Sequence, residues 1–485
     1  MVTRFRMSVV VFIKGAKGCH VVLGMGWWLY KVVYSVFFSP LRCIPGPFIL
    51  QLFPAYEMLM TQGGLWAWQE REYHRRYGRT FRKGWNTVLL ASEDALREIH
   101  ASSSFLKSDH FLATQVMGEN IFSTINPEFH RKRKRIMAQA FSIPEVEALD
   151  QVVRTNVVDV ATEILETHAA QGAAVDMFRM FGNISLDMIG VVGFGKSFET
   201  LVTGSHAAEE WFGDVLVRIY LSLFLPFVQS FPNPSKQKLL KLGEDAIQSV
   251  KRAPLGKSIS LALINAKDPQ TGDRLTDKEL AEEAVLQIMA GLESTTSTMT
   301  WVLHLLLSHP DFLQDVIDEL ITRFPSRDAV ITMEDCRAGC LPYLDAAIKE
   351  TMRVMPTAPG CFERVVPKGG RVLHGYFLPA GTRVGVNTLT LHTLPEVWGK
   401  DAHIFTPRRW INMTKVPSAY APFSIGARAC IGKHLAMAEI RLTLATLLRK
   451  FHFHPLSNVP LTPYSLLFNI PKESKMHVHV TARTY

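Results

Sequence analysis

Cys430 sits in the run Phe423-Ser-Ile-Gly426-Ala-Arg428-Ala-Cys430-Ile-Gly432, just ahead of a strongly apolar helical pattern. A cysteine at the start of a helix, in a glycine-bent loop beside an arginine, is favoured as a thiolate. Such a thiolate suits the proximal side of a buried haem iron. Gly426 permits a positive φ or the close approach of a flat cofactor. Gly432, expected just inside the following helix, permits tight packing there. Arg428 carries the charge to neutralise a cofactor carboxylate, and Phe423 the bulk to screen the sulfur. For Cys430 alone a buried structural cysteine is the plainer reading; the whole run favours the metal ligand.

Upstream, Ala290-Gly291-Leu292-Glu293-Ser294-Thr295 puts an acid beside two alcohols inside a long helical pattern. Hydroxyls compete for backbone carbonyls, so this stretch is expected to be locally weakened. An acid followed by an alcohol can relay protons into a buried reaction centre. Glu350 and Arg353 lie at i, i+3 and share a helix face. The run His130-Arg-Lys-Arg-Lys134-Arg135 reads as a solvated basic face, although His130 and Lys134 are one turn apart and point the same way.

These landmarks, in this order, resemble the cytochrome P-450 superfamily. The cysteine run matches the family's F-x-x-G-x-R-x-C-x-G at every defined position. The resemblance implies haem b, with Cys430 as axial ligand donating electron density to favour O–O cleavage. It assigns the acid–alcohol positions to Glu293 and Ser294. Serine replaces the usual threonine there, which leaves Thr295 as an alternative relay. It joins Glu350 and Arg353 to Arg409, from Phe405-Thr-Pro407-Arg-Arg409-Trp410, in a buried network that serves structure rather than catalysis. It puts His130 and Lys134 where the family commonly has Trp and Arg against a haem propionate. Arg364 is a further propionate candidate, although Glu363 stands where proline is frequent. Arg131, Lys132 and Arg133 are left to meet an acidic redox partner.

Elements must hold these groups in place. A capping-box signature at Thr276-Asp-Lys-Glu279 opens an apolar helical pattern that stops before Pro310. Strand-like segments are short: 86–91, 361–366, 371–376, 382–388 and 476–482. The expected fold is mainly α with a small β-rich lobe, the cytochrome P-450 fold, preceded by a membrane-anchor helix. Residues 1–39 form the anchor, 40–47 a proline-rich hinge and 48–485 one integrated domain. The anchor reading rests on residues 18–38, GCHVVLGMGWWLYKVVYSVFF, about the length a bilayer span needs. Arg4, Arg6, Lys14 and Lys17 precede that span and Arg42 follows it. This charge bias opposes a cytosolic body. The sequons at Asn183 and Asn412 would matter only in a lumenal domain.

The 485 residues carry a net charge of +9, with pI near 9.2 and 47% apolar residues. That balance suits an acidic protein partner or an anionic membrane surface. No nucleic-acid module and no dinucleotide fingerprint is present. The six cysteines are scattered, without disulfide-framework spacing, which favours a reducing compartment. Cys336 and Cys340 lack a second Cys/His pair for zinc. The expectation is a haem-dependent monooxygenase of the endoplasmic reticulum membrane with a cytosolic catalytic domain. It would use O2 and electrons from NADPH through a flavoprotein reductase to oxidise a lipophilic small molecule, as in fungal secondary metabolism. The apolar stretch from Tyr220 to Phe231 is a candidate access wall near the bilayer. The alternatives are a reductase-independent isomerase or dehydratase on the same fold, and a non-catalytic haem sensor or carrier.

Overall fold

The computed structural model describes residues 18–53, 56–61, 63–457 and 459–484; residues 1–17 of the expected anchor lie outside them. Helices dominate. Those used below are α1 (Gly18–Val33), α2 (Pro127–Met137), α3 (Met177–Phe194), α4 (Ala208–Phe224), α5 (Pro234–Arg252), α6 (Asp277–Leu307), α7 (Pro342–Val354) and α8 (Lys433–Lys450). The 31-residue α6 is the axis of the molecule. At 1.5 Å per residue it runs about 46 Å. Its expected capping box is present: the Thr276 amide donates to Glu279 Oε2 at 2.8 Å, and the Glu279 amide to Thr276 Oγ1 at 3.3 Å. The expected weakening at Gly291–Thr295 is absent. Ser294, Thr295 and Thr298 each donate to the carbonyl four residues back, and the helix continues unbroken.

α3 packs along α6, buried over most of its length. Among the described residues it is the one helix long and apolar enough to cross a bilayer, and it is a core helix. Asn183 is buried on α3, which removes that sequon from consideration as a surface acceptor. α6 also meets α5, α7 and α8. Trp301, fully buried, donates its Nε1 to the Asn469 carbonyl at 2.9 Å. The Ser297 hydroxyl shares that acceptor.

The β-rich part is a five-stranded sheet in the order β1 (Thr80–Arg82), β2 (Thr87–Leu90), β8 (Arg383–Val386), β5 (Arg364–Val365) and β3 (Leu106–Lys107). The β2–β8 pairing is parallel and the others antiparallel. The β6 (Arg371–Leu373) and β7 (Tyr376–Leu378) strands form a hairpin. β4 (Ala174–Asp176), β12 (His477–Ala482) and β9 (Phe451–Pro455) make a second sheet. The last hairpin pairs β10 (Pro463–Ser465) with β11 (Asn469–Pro471). It is fixed at both ends. The Ser465 amide donates to the Gly64 carbonyl at 2.8 Å, and the Asn469 amide to the Thr357 carbonyl at 2.9 Å.

α1 continues as a π-helical turn, Tyr34–Phe38, so helix spans the expected 18–38. Trp27, Leu29, Tyr30, Phe37 and Phe38 are exposed. The proline-rich segment that follows is packed rather than free, with Leu41 and Ile44 buried. Buried Arg82 reaches across to this region. It donates to the Ser35 carbonyl at 2.9 Å and to Ser35 Oγ at 2.8 Å.

Candidate active site

The Cys430 loop is shaped by its backbone. Gly426 has φ of 75°, and a Cβ there would stand 2.3 Å from the His100 carbonyl oxygen. Both facts demand glycine. The Cys430 amide donates to the Phe423 carbonyl at 2.9 Å, which closes the loop. Gly432 caps α8 rather than lying inside it. The thiol is exposed. Surrounding protein still pushes its pKa up, while the Gly432 amide and the ammonium groups of Lys134 and Lys433 pull it down. These describe a sulfur set in a recess, reachable but enclosed. Coordination to a metal would deprotonate it outright. Phe423 is half-buried beside it, with Lys433 Nζ 5.9 Å from the ring centre.

A set of cations surrounds the loop. Lys107 on β3 stands directly opposite Arg364 on β5 in the antiparallel register. Like charges so placed repel, and both side chains are buried. Arg428 comes from the cysteine loop and donates to the Thr124 carbonyl at 3.0 Å and the Asn126 carbonyl at 3.4 Å. Lys107 bonds the Phe122 carbonyl and lies 4.0 Å from the Phe111 ring centre. Arg364 donates to the carbonyls of Phe362 and Glu363 at 3.0 and 3.1 Å. No carboxylate among the described residues forms an ion pair with Lys107, Arg364 or Arg428. Burial first, and then mutual repulsion, pushes Lys107 well below the usual lysine range and Arg364 down to about 10. Burial pushes Arg428 to about 10 as well. His130, buried on α2, falls to about 3 through burial and the charges of Arg428, Lys107 and Lys134. His100 also falls to about 3, and neither ring nitrogen has a partner. Gathered cations and orphaned imidazole nitrogens without a counter-charge form a site for an anion.

Lys134, one turn after His130, donates its Nζ to the Ala427 carbonyl at 2.7 Å, so it braces the cysteine loop. Arg133 corrects the expectation of a free basic face. It is buried, donates to Glu279 at 2.6 Å and lies 3.6 Å from Glu283. Lys132 pairs with Asp273 at 2.6 Å but is exposed, as is Arg131. Glu363 points away from the cation cluster. Although burial raises a carboxyl, contact with His110 and Arg383 holds it down at about 2.

The acid and the two alcohols of α6 separate. Glu293 is half-buried, and burial, aided by Glu209 on α4, pushes it up to about 7. Ser294 Oγ donates to the Ala290 carbonyl at 2.6 Å. Its face continues to Thr298, whose hydroxyl meets that of Thr357 at 2.9 Å. Thr357 belongs to the loop leading to Arg364. Thr295 turns the other way: it is buried and meets Ser185 Oγ on α3 at 2.8 Å.

The Glu350 network is complete. Arg353 Nε and Nη2 donate to the two Glu350 oxygens at 2.8 and 2.7 Å. Arg409 Nε, Trp410 Nε1 and the Thr406 amide donate to the same carboxylate at 3.0, 2.8 and 2.8 Å. Arg353 Nη1 and Nη2 also donate to the carbonyls of His392 and Ile404, at 2.8 and 3.0 Å. The His392 ring accepts from the Ala421 amide at 2.9 Å, which ties the network to the chain leading into the cysteine loop.

The cytochrome P450 family model matches residues 66–478. The chain belongs to the cytochrome P-450 family. It is 29% identical over 453 residues to a versicolorin B desaturase of Emericella nidulans, covering 88% of this chain and 89% of that one. It is 29% identical over 448 residues to a trichothecene C-4 hydroxylase of Trichoderma arundinaceum, covering 87% and 88%. A crystal structure of a cytochrome P-450 superposes with a TM-score of 0.76 at 22% identity, over 86% of this chain and 94% of the other. The protein is therefore a cytochrome P-450 monooxygenase, an oxidoreductase whose family binds haem b. The residues present fit that group: an accessible thiol for iron and an uncompensated buried cation cluster for propionates. Lys107 belongs to this cluster, and the uncharged His100 ring lies beside it. Lys107 lies outside every sequence motif, and His100 carried no signal.

Proposed function

We propose that the protein is a membrane-anchored P-450 monooxygenase that oxidises a lipophilic, largely uncharged small molecule in secondary metabolism. Cys430 would ligate the iron, and Arg364, Arg428, Lys107 and His130 would face the propionates, with Lys134 bracing the cysteine loop. Phe423 and Gly426 would set the loop's cover and its closeness to the ring. Haem b, when bound, supplies the oxygen-activating chemistry. The chain supplies protons: Glu293, with a pKa near neutrality, and Ser294 Oγ, which faces the open side of α6, would deliver them together with water. Electrons come from an NADPH-fed flavoprotein reductase, with exposed Arg131 and Lys132 offering an acidic partner a docking face.

Several features support the membrane reading. The exposed apolar face of α1 is continued by Phe48, Phe53, Tyr56 and Leu59. Trp28 stacks on Phe53 and donates to the Leu52 carbonyl at 2.8 Å. The apolar segment after α4 joins the same side: Tyr220 donates to the Met58 carbonyl at 2.9 Å, and Phe227 and Phe231 are exposed. An endoplasmic reticulum location with a cytosolic body is consistent with this surface, and the relatives' names favour secondary metabolism.

The observation that carries the reading is the accessible Cys430 thiol ringed by buried cations without counter-charges. Its test is co-expression with a fungal reductase, followed by comparison of metabolites with a Cys430→Ala control. New oxidised products dependent on NADPH support it; indistinguishable extracts across a broad panel of precursors reject it. Product formation without NADPH would point to isomerase or dehydratase chemistry.

A further inference from the structure

The second sheet carries a row of imidazoles on its outer face. β9 reads Phe-His-Phe-His-Pro, and β12 reads His-Val-His-Val-Thr-Ala. Alternation turns Phe451, Phe453, Val478 and Val480 into the core and leaves His452, His454, His477 and His479 exposed. The antiparallel register sets His454 directly opposite His479, and His452 opposite Thr481. Residues so opposed hold their Cβ atoms about 5 Å apart, and diagonal neighbours stand about 7–8 Å apart. His454 is therefore a corner, with His452 along its own strand and His479 across the ladder. The four buried side chains between them fix that frame.

We infer that His452, His454 and His479 form a surface site for a borderline divalent cation, Zn2+, Ni2+ or Cu2+, which closes when their exposed rings turn toward one another.

Among the described residues no three such side chains are already gathered on one point, so the site is made by ring rotation on a fixed backbone. His452 and His454 lie nearly parallel, with ring centres 6.1 Å apart. Their Nε2 atoms rest against Arg483 Nη1 and Thr481 Oγ1, each at 3.3 Å. Both contacts are long for hydrogen bonds, and a coordinate bond would replace them readily. Arginine can only donate, so His452 Nε2 accepts there and carries the lone pair that a metal takes. An imidazole set selects these ions over Mg2+ and Ca2+, which require oxygen ligands. Three such ligands leave the fourth tetrahedral position to water. His477 lies outside the corner. Its neighbour on β4, Asp176, spends its carboxylate on the Phe178 and Met476 amides at 3.1 and 2.8 Å. Arg483 is held by the Leu448 and Phe451 carbonyls at 3.0 and 3.1 Å. Its charge opposes a cation at His452, which makes His452 the weakest of the three ligands. A bound ion would staple the last strand, β12, to β9, which leaves the end of α8 directly. The 18 residues of α8 put about 27 Å of helix between that end and the cysteine loop.

The test is calorimetric titration of the untagged holoenzyme with Zn2+, and with Mg2+ for comparison. One Zn2+ per chain should bind saturably, raise the unfolding temperature and be removed by a chelator, while Mg2+ does neither. The ferrous-carbonyl spectrum should not change, since the ion sits far from Cys430. His454→Ala and His479→Ala should each weaken Zn2+ binding by at least the ~10–100-fold that loss of an outer-shell partner costs. His452→Ala should weaken it less, and His403→Ala, an exposed histidine elsewhere, not at all. Equal Zn2+ affinity in the His454 and His479 variants overturns the inference, as does the absence of saturable binding. Loss of the carbonyl spectrum on adding Zn2+ would place the ion at the sulfur and overturn it too. Metal-free melts of the variants should match the parent; if His454→Ala melts early, His479→Gln decides the question.

Discussion

Cys430→Ser should abolish the thiolate-type ferrous-carbonyl spectrum while the apoprotein folds, because the loop is closed by backbone bonds and glycine geometry rather than by the sulfur; absorbance and circular dichroism on one sample check this. Lys107→Met should speed haem loss to apomyoglobin by about tenfold, the effect expected for one charge-assisted hydrogen bond. Relief of repulsion at Arg364 should meanwhile leave the fold intact or slightly more stable. Glu293 carries a sign of its own: its donor form is lost above a pKa of about 7, so coupled turnover should fall as pH rises past neutrality. Glu293→Gln should lose that limb of the profile. The Cys430 run was legible in the sequence because its demands are local: a positive φ, a helix start and a close backbone approach. Lys107 was not legible as part of the site, because only the β3–β5 register sets it against Arg364.

At the scale of elements, α6 and the Glu350 network hold the frame. Both bounds of α6 followed from the capping box and from Pro310. The expected soft spot did not, since hydroxyls that bond the carbonyl four residues back can leave the ladder closed. Arg133 was misjudged because five consecutive basic residues cover more than one face of a helix, and one of them turned inward to Glu279. Thr276→Ala should cost about 1 kcal/mol by loss of the cap. Glu350→Ala should cost about 3–5 kcal/mol, since it deprives the buried Arg353 guanidinium of its carboxylate while Arg409 keeps Asp401; denaturant midpoints on the holoprotein check both. Each of the five anticipated segments contains a strand, whereas β1, β3, β4 and β9 to β11 were missed. Most of these are 2 or 3 residues long, too brief for alternation to register, and they exist through their tertiary partners.

For the molecule as a whole, the tie between Arg82 and Ser35 sets how much of the N-terminal helix is dispensable. Removing residues 1–33 should release the protein from membranes yet preserve its stability. Removing residues 1–39 should also strip Arg82 of Ser35 and Ser39 and lower the unfolding midpoint; flotation on vesicles and thermal melts of both truncations separate the two effects. The β10–β11 hairpin has a more practical meaning. Asn469 is locked to α6 and to the loop at Thr357, and Ser465 to the loop at Gly64, so both feet of the hairpin are anchored to rigid parts of the enzyme. The three residues between them, Leu466, Leu467 and Phe468, are only half-buried. A randomised library confined to that tip should be tolerated without loss of the scaffold, which makes it a natural starting point for engineering.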